Sequence, residues 1–512
     1  MSIMFTTTQD ITILSQGWAS TRLVDIAEIN PRLPLERIQD DAFVTFVPMK
    51  AVEEKTGRFD ACNTKQYAEV RKGYTAFMDG DIIFAKITPC MENGKIAIMK
   101  GLKNGVGFGS TEFHVIRLTD INLPTEYFVF YLLQEQFRKD AQRNMTGSAG
   151  QLRVPAFYLE QASIPLPPLP EQHRIVAKIE ELFTKLDAGV DALKKIKAQL
   201  KRYRQSVLKY AFEGKLTEEW RELHRDELEP ASVLLMRIRR ERKKTAIKYK
   251  EPLSINTSEL PEIPDEWTWI GFAELASQNR NSIKRGPFGS AIKKSYFVEN
   301  GYKVYEQQNA IYDNLLLGRY FVPQSKYDEL IDFKVGPGDF IISCSGTIGR
   351  IAQLPSNAET GVINQALLKI TIDNEIVLAK YFMQYFKSEL FQKQLLQETR
   401  GSAMKNVSSV ADIKIMPFPL SSIKEQKKII EEIERRFSIA DEIETVIWQS
   451  LKQSERLRQS ILKTAFEGKL VPQDPNDEPA EKLLERIKAE RARQSNKVSF
   501  SKSRSSKQKE SI

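Results

Sequence analysis

From Ile175 the apolar residues Ile175, Ile179, Leu182, Leu186, Leu193, Ile196, Leu200, Tyr203 and Val207 recur at alternating steps of three and four, with one full heptad between Leu186 and Leu193. That spacing lines one seam of a long coiled-coil helix. At 1.5 Å per residue, a stretch of about 40 residues makes a rod of roughly 60 Å. The lead-in Pro165-Leu166-Pro167-Pro168-Leu169-Pro170 stops the strand before it, and Gly214 and Gly468 are placed to end this helix and a second one. Elsewhere short β-rich runs alternate with Gly, Pro and Asn turns: AFVTFVPM, GDIIFAKI and FHVIRL, then YKVYEQ, GDFIISC and ALLKITI. Helical stretches such as TEYFVFYLLQEQFRKDAQR follow, so each such region reads as a mixed α/β head.

The chain is written twice. Glu171–Leu216 aligns without a gap on Glu425–Leu470, with 20 of 46 positions identical, too many for shared helical composition alone. Pro165-Leu166 answers Pro419-Leu420, and Gly147-Ser148-Ala149 answers Gly401-Ser402-Ala403. Downstream, PASVLLMRIRRER from Pro230 answers PAEKLLERIKAER from Pro479. Upstream, Trp18, Leu23, Asp25, Ile26 and Ala27 correspond to Trp267, Phe272, Glu274, Leu275 and Ala276. Between these anchors the halves share little beyond Gly80-Asp81-Ile82-Ile83 against Gly338-Asp339-Phe340-Ile341. The expected fold class is α+β, an internal tandem duplication with two mixed α/β domains joined by two long antiparallel coiled-coil helices. The boundaries expected are a first head at 1–164, a helical region and linker at 165–250, a second head at 251–418, a second helical region at 419–494 and a disordered basic tail at 495–512.

The pairing direction rests on charge. The first helix starts acidic (Glu171, Glu180, Glu181, Asp187, Asp191) and ends basic (Lys194, Lys195, Lys197, Lys201, Arg202, Arg204, Lys209). The second repeats the trend, from Glu431, Glu432, Glu434, Asp441, Glu442 and Glu444 to Lys452, Arg456, Arg458 and Lys463. Antiparallel packing sets each acidic half against a basic half. The alternative is that each helix complements only its own macrodipole, but that dipole acts mainly in the terminal turns and these runs are longer.

The 512 residues are 41% hydrophobic, and 76 Lys and Arg against 67 Asp and Glu leave a formal charge of +9. This is a globular composition that favours a polyanionic partner, with nucleic acid ahead of a membrane surface. Cys62, Cys90 and Cys344 lie too far apart for a CxxC metal pair and read as ordinary thiols of a reducing cytoplasm. The first residues lack a basic stretch followed by an apolar one, and no run is long enough to cross a bilayer, so a cytoplasmic location and no membrane partner are expected.

The order variable head, P-L-P-P-L-P-E-Q, long helix and A-F-E-G-K-L, then the same again, resembles the specificity subunits of type I restriction-modification systems over essentially the full chain. The motifs are Pro165 to Gln172 with Ala211 to Leu216, and Pro419 to Gln426 with Ala465 to Leu470. The second lead-in, PLSSIKEQ, departs from the proline-rich pattern. The resemblance implies two target-recognition domains that each read one half of a split, asymmetric site in double-stranded DNA. It implies helices that dock two modification subunits, and in some systems restriction subunits that hydrolyse ATP and cut. S-adenosylmethionine, ATP and Mg then belong to the partner subunits; none is expected on this chain, and it is expected to have no catalytic or metal site. A rod of fixed length would select the length of an unread spacer.

The best base-reading candidates are polar or basic residues in glycine-containing loops, which approach a groove closely. In the first head these are Lys86, Thr88, Asn93, Lys95, Ser110, Thr111, Arg143, Ser148, Gln151 and Arg153. The second offers Lys284, Arg285, Ser290, Lys293, Lys294, Ser343, Ser345, Arg350, Asn364, Gln365, Ser402 and Lys405. For any one of them a solvated charge or a turn former is the competing reading.

Catalytic motifs are weak. Gly105-Val106-Gly107-Phe108-Gly109 has no strand-then-helix frame for a cofactor and reads as a turn between strands. Asn30-Pro31-Arg32-Leu33 lacks the second proline and the aromatic of an amino-methyltransferase loop. Asp41 with Glu53-Glu54-Lys55 has the residue types of a metal-dependent nuclease, a coincidence that 28% charged residues make easy. No G-x-x-x-x-G-K-[ST] occurs, and His114, His173 and His224 stand alone. The competing function from another class is a coiled-coil adaptor with non-specific DNA contact; two diverged loop-bearing heads weigh against it.

Overall fold

In the computed structural model, which describes residues 14–33, 38–61, 63–148, 150–245, 251–397 and 409–493, each shared Gly-Asp pair opens a fully buried strand. Gly80 and Gly338 both take the left-handed conformation at φ 89°, which only glycine adopts without cost. The aspartate that follows closes the turn: Asp81 accepts from the Met78 amide at 2.8 Å and Asp339 from the Gly336 amide at 2.9 Å. Ile82–Ala85 and Phe340–Ser343 then run through their heads buried on both faces.

Two units result, Met1–Leu193 with Gln449–Ile512, and Lys194–Trp448. The first head has one sheet ordered Ala27–Ile29, Phe113–Leu118, Ile82–Ala85, Ile96–Ile98 and another ordered Thr64–Gln66, Phe43–Val47, Val106–Gly109, Thr75–Met78. The second head repeats both orders with Ile283–Arg285, Leu367–Ile370, Phe340–Ser343, Ile351–Gln353 and with Phe321–Val322, Tyr302–Tyr305, Gly361–Ile363, Lys334–Val335. The parallel strand pairing recurs too, Phe43–Val47 on Val106–Gly109 and Tyr302–Tyr305 on Gly361–Ile363. The glycine run expected to be a turn is therefore largely strand. A Cβ on Gly107 would lie 2.3 Å from the Phe77 ring, and one on Gly109 2.5 Å from the Val47 carbonyl oxygen, so glycine is there for close packing.

Each head is closed by a two-stranded ribbon that joins its start to its end, Ala19–Arg22 on Ser163–Leu166 and Thr268–Gly271 on Pro417–Leu420. A 44-residue helix leaves each ribbon, Leu169–Phe212 and Ile423–Phe466. The departure in PLSSIKEQ has a local answer. The Ser422 hydroxyl accepts the Glu425 amide at 3.2 Å and caps the second helix where prolines lead into the first. The glutamine of both motifs ties the turn down, Gln172 donating to the Pro167 carbonyl and Gln426 to the Ser421 and Ile376 carbonyls.

The helices pair antiparallel, by the same device in each unit. In the second unit the Arg204 guanidinium lies over the Phe437 ring, 5.4 Å from its centroid, and binds Asp441 at 2.7 Å. In the first unit Arg458 lies 4.1 Å from the Phe183 centroid and pairs with Asp187. Basic end meets acidic end, as the charge trend requires. The apolar seam is narrower than its spacing suggests, since Ile196 and Tyr203 are each 41% exposed. Two helices cover each other along one line only, and full burial is found at the seam residues Ile175, Ile179 and Val207, where a head adds a third layer.

That third layer explains A-F-E-G-K-L. Phe212 packs edge-on against Tyr381 and Tyr385 of the second head, and Phe466 does the same with Tyr127 and Tyr131 of the first. Those tyrosines donate to ribbon carbonyls, Tyr127 to Pro165, Tyr131 to Ser163, Tyr381 to Pro419 and Tyr385 to Pro417. A Cβ on Gly214 would sit 2.3 Å from Pro264, and one on Gly468 2.1 Å from Ser15. Each glycine therefore lets a helix end lie directly on the segment that enters a head. Among the described residues no helix is long and apolar enough to cross a membrane. Ser402, Lys405 and the basic tail lie outside the described residues.

The glutamate of each E-Q pair is buried and accepts an indole N–H, Glu171 from Trp18 at 3.1 Å and Glu425 from Trp267 at 2.7 Å. Glu425 also receives Thr217 and Arg221, both at 2.8 Å. Burial holds the Glu171 carboxyl above its ordinary range, opposed by the Trp18 hydrogen bond and the charge of Arg174. An acid with a raised folded pKa takes up a proton on folding, so its contribution is greatest at low pH and is lost as pH rises through the folded value. Replacing Glu425 by glutamine should strip Arg221 of its buried anion and lower stability by about 3 kcal/mol. Glu171→Gln keeps an acceptor for Trp18 and should raise the melting temperature near neutral pH, with the gain vanishing toward about pH 4. Thermal unfolding of the two variants across pH checks both signs.

Candidate nucleic-acid interface

In the first head three segments distant in sequence are bonded into one edge. The Lys86 amide donates to the Glu112 carbonyl at 2.9 Å, the Val154 amide to the Lys86 carbonyl at 2.8 Å, and the Thr88 amide to the Leu152 carbonyl at 3.1 Å. Lys86 and Thr88 leave the buried strand Ile82–Ala85, Ser110 and Thr111 precede strand Phe113–Leu118, and Ser148 and Gln151 flank the tip of the hairpin Thr146–Ser148, Gln151–Arg153. Arg153 clasps Glu112 with two hydrogen bonds of 2.9 and 2.7 Å. That clasp holds the Glu112 carboxyl below its usual range against the cost of partial burial, and raises Arg153.

Besides Lys86 and the clasped Arg153, the candidates here fall into two groups. Thr111, Arg143, Ser148 and Gln151 are exposed, Arg143 pairing with Asp140 at 3.0 Å. Lys95 points inward, its Nζ donating to the Met49 and Val52 carbonyls. Asn93 donates to Glu54 at 3.0 Å, the Ser110 hydroxyl accepts the Glu112 amide and the Thr88 hydroxyl accepts the Leu152 amide. These four hold the loops in shape.

The second head gathers two equivalent segments, the loop after Phe340–Ser343 and the turn before Leu367–Ile370, and joins them to the loop after Ile283–Arg285. The Gly286 amide donates to the Leu367 carbonyl at 2.8 Å and the Cys344 amide to the Ala366 carbonyl at 2.8 Å. A Cβ on Gly286 would fall 1.8 Å from the Asn364 carbonyl oxygen, so the two loops touch backbone to backbone. Ser343 is buried, its hydroxyl donating to the Thr347 carbonyl and accepting the Arg350 amide, which shapes the loop carrying Ser345 and Arg350. Burial pushes the neighbouring Cys344 thiol up to about 12, with the charge of Arg285 opposing. Lys284 lies over the Phe333 ring at 5.2 Å. Ser290, Lys293, Lys294, Arg350 and Gln365 are exposed, and Arg285 and Asn364 are half-buried. Arg285, Lys293, Lys294 and Arg350 form no ion pair among the described residues.

Sequence reasoning passed over Phe288, which stands 90% exposed between Gly286 and Gly289. The available signal was an aromatic ring bracketed by glycines inside a basic loop. The weak catalytic strings are structural. Asn30 binds His114 at 3.0 Å and caps the Val115 amide, and Glu54 and Lys55 are bonded to Asn93 and Glu455. Burial keeps His114 below its ordinary pKa. No group of three or more His, Cys, Asp or Glu is placed to hold a metal among the described residues.

The architecture defines a class, a duplicated α+β protein that presents different polar loops from two copies of one head. Residues 15–202 and 287–453 match the family described as type I restriction modification DNA specificity domain, and the chain belongs to that family. It is 28% identical over 498 residues to the type I restriction enzyme EcoAI specificity subunit of Escherichia coli and 29% identical to the EcoEI specificity subunit of the same species. Each match covers 86% of this chain and 81% of the relative. Among solved structures, a chain from a type I restriction-modification system, studied for complex assembly and conformational transition, shares the fold with a TM-score of 0.61 at 18% identity. That likeness covers 89% of this chain and 99% of the other. The chain is a DNA specificity subunit, the recognition component and not the catalyst.

Gly286→Ala should force the loops at 286 and 364 apart, costing about 1–3 kcal/mol in stability. Thermal unfolding measures that cost, and a matched Gly189→Ala variant, whose added Cβ meets nothing within 4 Å, should cost nothing.

Proposed function

We propose that each head reads one half of a bipartite, asymmetric site in double-stranded DNA and directs methylation of adenine by two modification subunits docked on the long helices. The observation that carries this is the pairing of one sheet order with two unlike sets of loops. Two scaffolds of one design that present different hydrogen-bonding groups suit two different half-sites. S-adenosylmethionine belongs to the modification subunits, ATP and Mg to restriction subunits where the cell supplies them. The residues proposed to face DNA are the exposed loop candidates, Thr111, Arg143, Ser148 and Gln151 in the first head and Ser290, Lys293, Lys294, Arg350 and Gln365 in the second, together with the half-buried Arg285. Ile439, Ile443 and Val446 lie on the second helix at steps of four and three and are exposed, an apolar stripe suited to a modification subunit.

Mapping methylated adenines in a genome with and without this gene tests the reading. Modification of one split, asymmetric motif should vanish on deletion of the gene. Persistence of every motif while the modification subunits are expressed would favour the adaptor with non-specific DNA contact.

Each long helix contributes residues to both units, and we propose that its length sets the unread spacer. Removing four residues from 193–203 together with four from the antiparallel stretch 445–452 shortens the rod by about 6 Å, roughly two base pairs of rise. The methylated motif should keep both half-sites and lose one or two spacer positions. An unchanged spacer in a stable variant would refute the ruler.

A further inference from the structure

We propose that Phe288 is a wedge that stacks between base pairs of the half-site read by the second head. The proposal rests on that head's reading of DNA and deepens it. An exposed phenylalanine costs solvation free energy unless something covers it in use. Phe288 is 90% exposed, and its loop is held on both sides. Pro287 is buried, Gly286 is pressed against the Asn364 carbonyl, and the Ala291 amide closes a turn on the Phe288 carbonyl at 2.8 Å. The ring is therefore displayed by a preorganised backbone, which lowers the entropic cost of inserting it.

The surroundings favour nucleic acid over protein. Arg285, Lys293 and Lys294 belong to the same segment, and Arg350 lies on the neighbouring loop, all without an ion pair among the described residues. A ring flanked by cations in a glycine-bracketed loop fits a duplex, where the cations meet phosphates and the ring a base step. Gln365 is close enough that a Cβ on Gly289 would lie 3.9 Å from its amide. Its amide would then read a base edge beside the opened step.

The test uses the full chain in complex with its modification subunits and a duplex carrying the motif found by methylation mapping. 2-Aminopurine replaces one base at a time in each half, away from the methylated adenine, and reports unstacking. The wild-type complex should raise its fluorescence at one step in one half only, and Phe288→Ala should abolish that signal with about a 10- to 100-fold loss of affinity. Phe288→Trp should restore both. The slope of log affinity against log salt should stay unchanged in Phe288→Ala and fall by about 0.9 in Lys294→Ala if that lysine meets a phosphate. Unchanged affinity and fluorescence in Phe288→Ala would overturn the wedge while leaving the second head's reading intact. Loss of the modification subunits from Phe288→Ala on gel filtration would overturn it in favour of a protein contact. Failure of the wild-type complex to prefer the mapped duplex would remove the DNA reading itself.

Discussion

The whole fold depends on where each long helix ends. Neither helix finishes in solvent or against its own head: Phe212 closes the core that contains Phe272, Tyr381 and Phe418, and Phe466 closes the one that contains Trp18, Tyr127 and Ile164. A phenylalanine buried in an aromatic cluster contributes on the order of 2–3 kcal/mol by area alone, with more from edge-to-face geometry. Each core is thus completed by a residue from the other repeat. The motif A-F-E-G-K-L has one role at each residue that matters: a buried alanine that lets the helix approach, a phenylalanine that fills the cluster, and a glycine that turns the chain against the head's entry segment. Duplication of the motif follows from duplication of the socket.

Charge and packing divide the work between the helices. Arg204 is 22% exposed and Arg458 14%, with carboxylate partners more exposed still. Ion pairs so placed contribute little to stability. Their value is directional, because a parallel pairing would set acidic half on acidic half. The rings beneath the guanidiniums, Phe437 and Phe183, add apolar contact to the same pairs. Stability comes from the helix ends and direction from the charged flanks. That separation explains how the sequence between those ends stays rich in exposed polar residues without unravelling.

The scaffold was legible because it is present twice, and several residues kept in both copies have a visible structural role. The Gly-Asp pair is a turn, the E-Q pair anchors the indole and the turn carbonyls, and the charge trend sets the pairing direction. The seam was legible as a helix but overdrawn as a core, since periodicity records which face is apolar and not how many layers cover it; Ile196 and Tyr203 show the difference. The glycine run at 105–109 misled for the opposite reason. Glycine marks turns in a sequence, yet here it marks a strand crowded by Phe77 and Val47. The loops were the least legible part. What Lys95 or Ser343 does depends on carbonyls at Met49, Val52 and Thr347, and whether Thr88 faces outward depends on Leu152, 64 residues away. Residue type alone carries none of that.

The same contrast explains how one architecture carries two different sets of loops. In both heads the strands that hold the loops are buried on every residue, Ile82–Ala85 and Phe340–Ser343, so their side chains are constrained by packing. Backbone groups tie the loops that meet at the ends of those strands: Lys86 to Glu112 and Val154 in the first head, Cys344 to Ala366 in the second, where Gly286 from the loop after Ile283–Arg285 joins at Leu367. A backbone hydrogen bond does not specify the side chain of the residue that makes it. Side chains at the loop tips are therefore free to change while the loops keep their places. Two kinds of residue are excepted: glycine where two backbones touch, as at Gly286 against Asn364, and inward side chains such as Lys95 and Ser343 that hold a loop in shape. Recognition can diverge residue by residue on such a frame, and the two unlike heads of this one chain are that divergence within a single molecule.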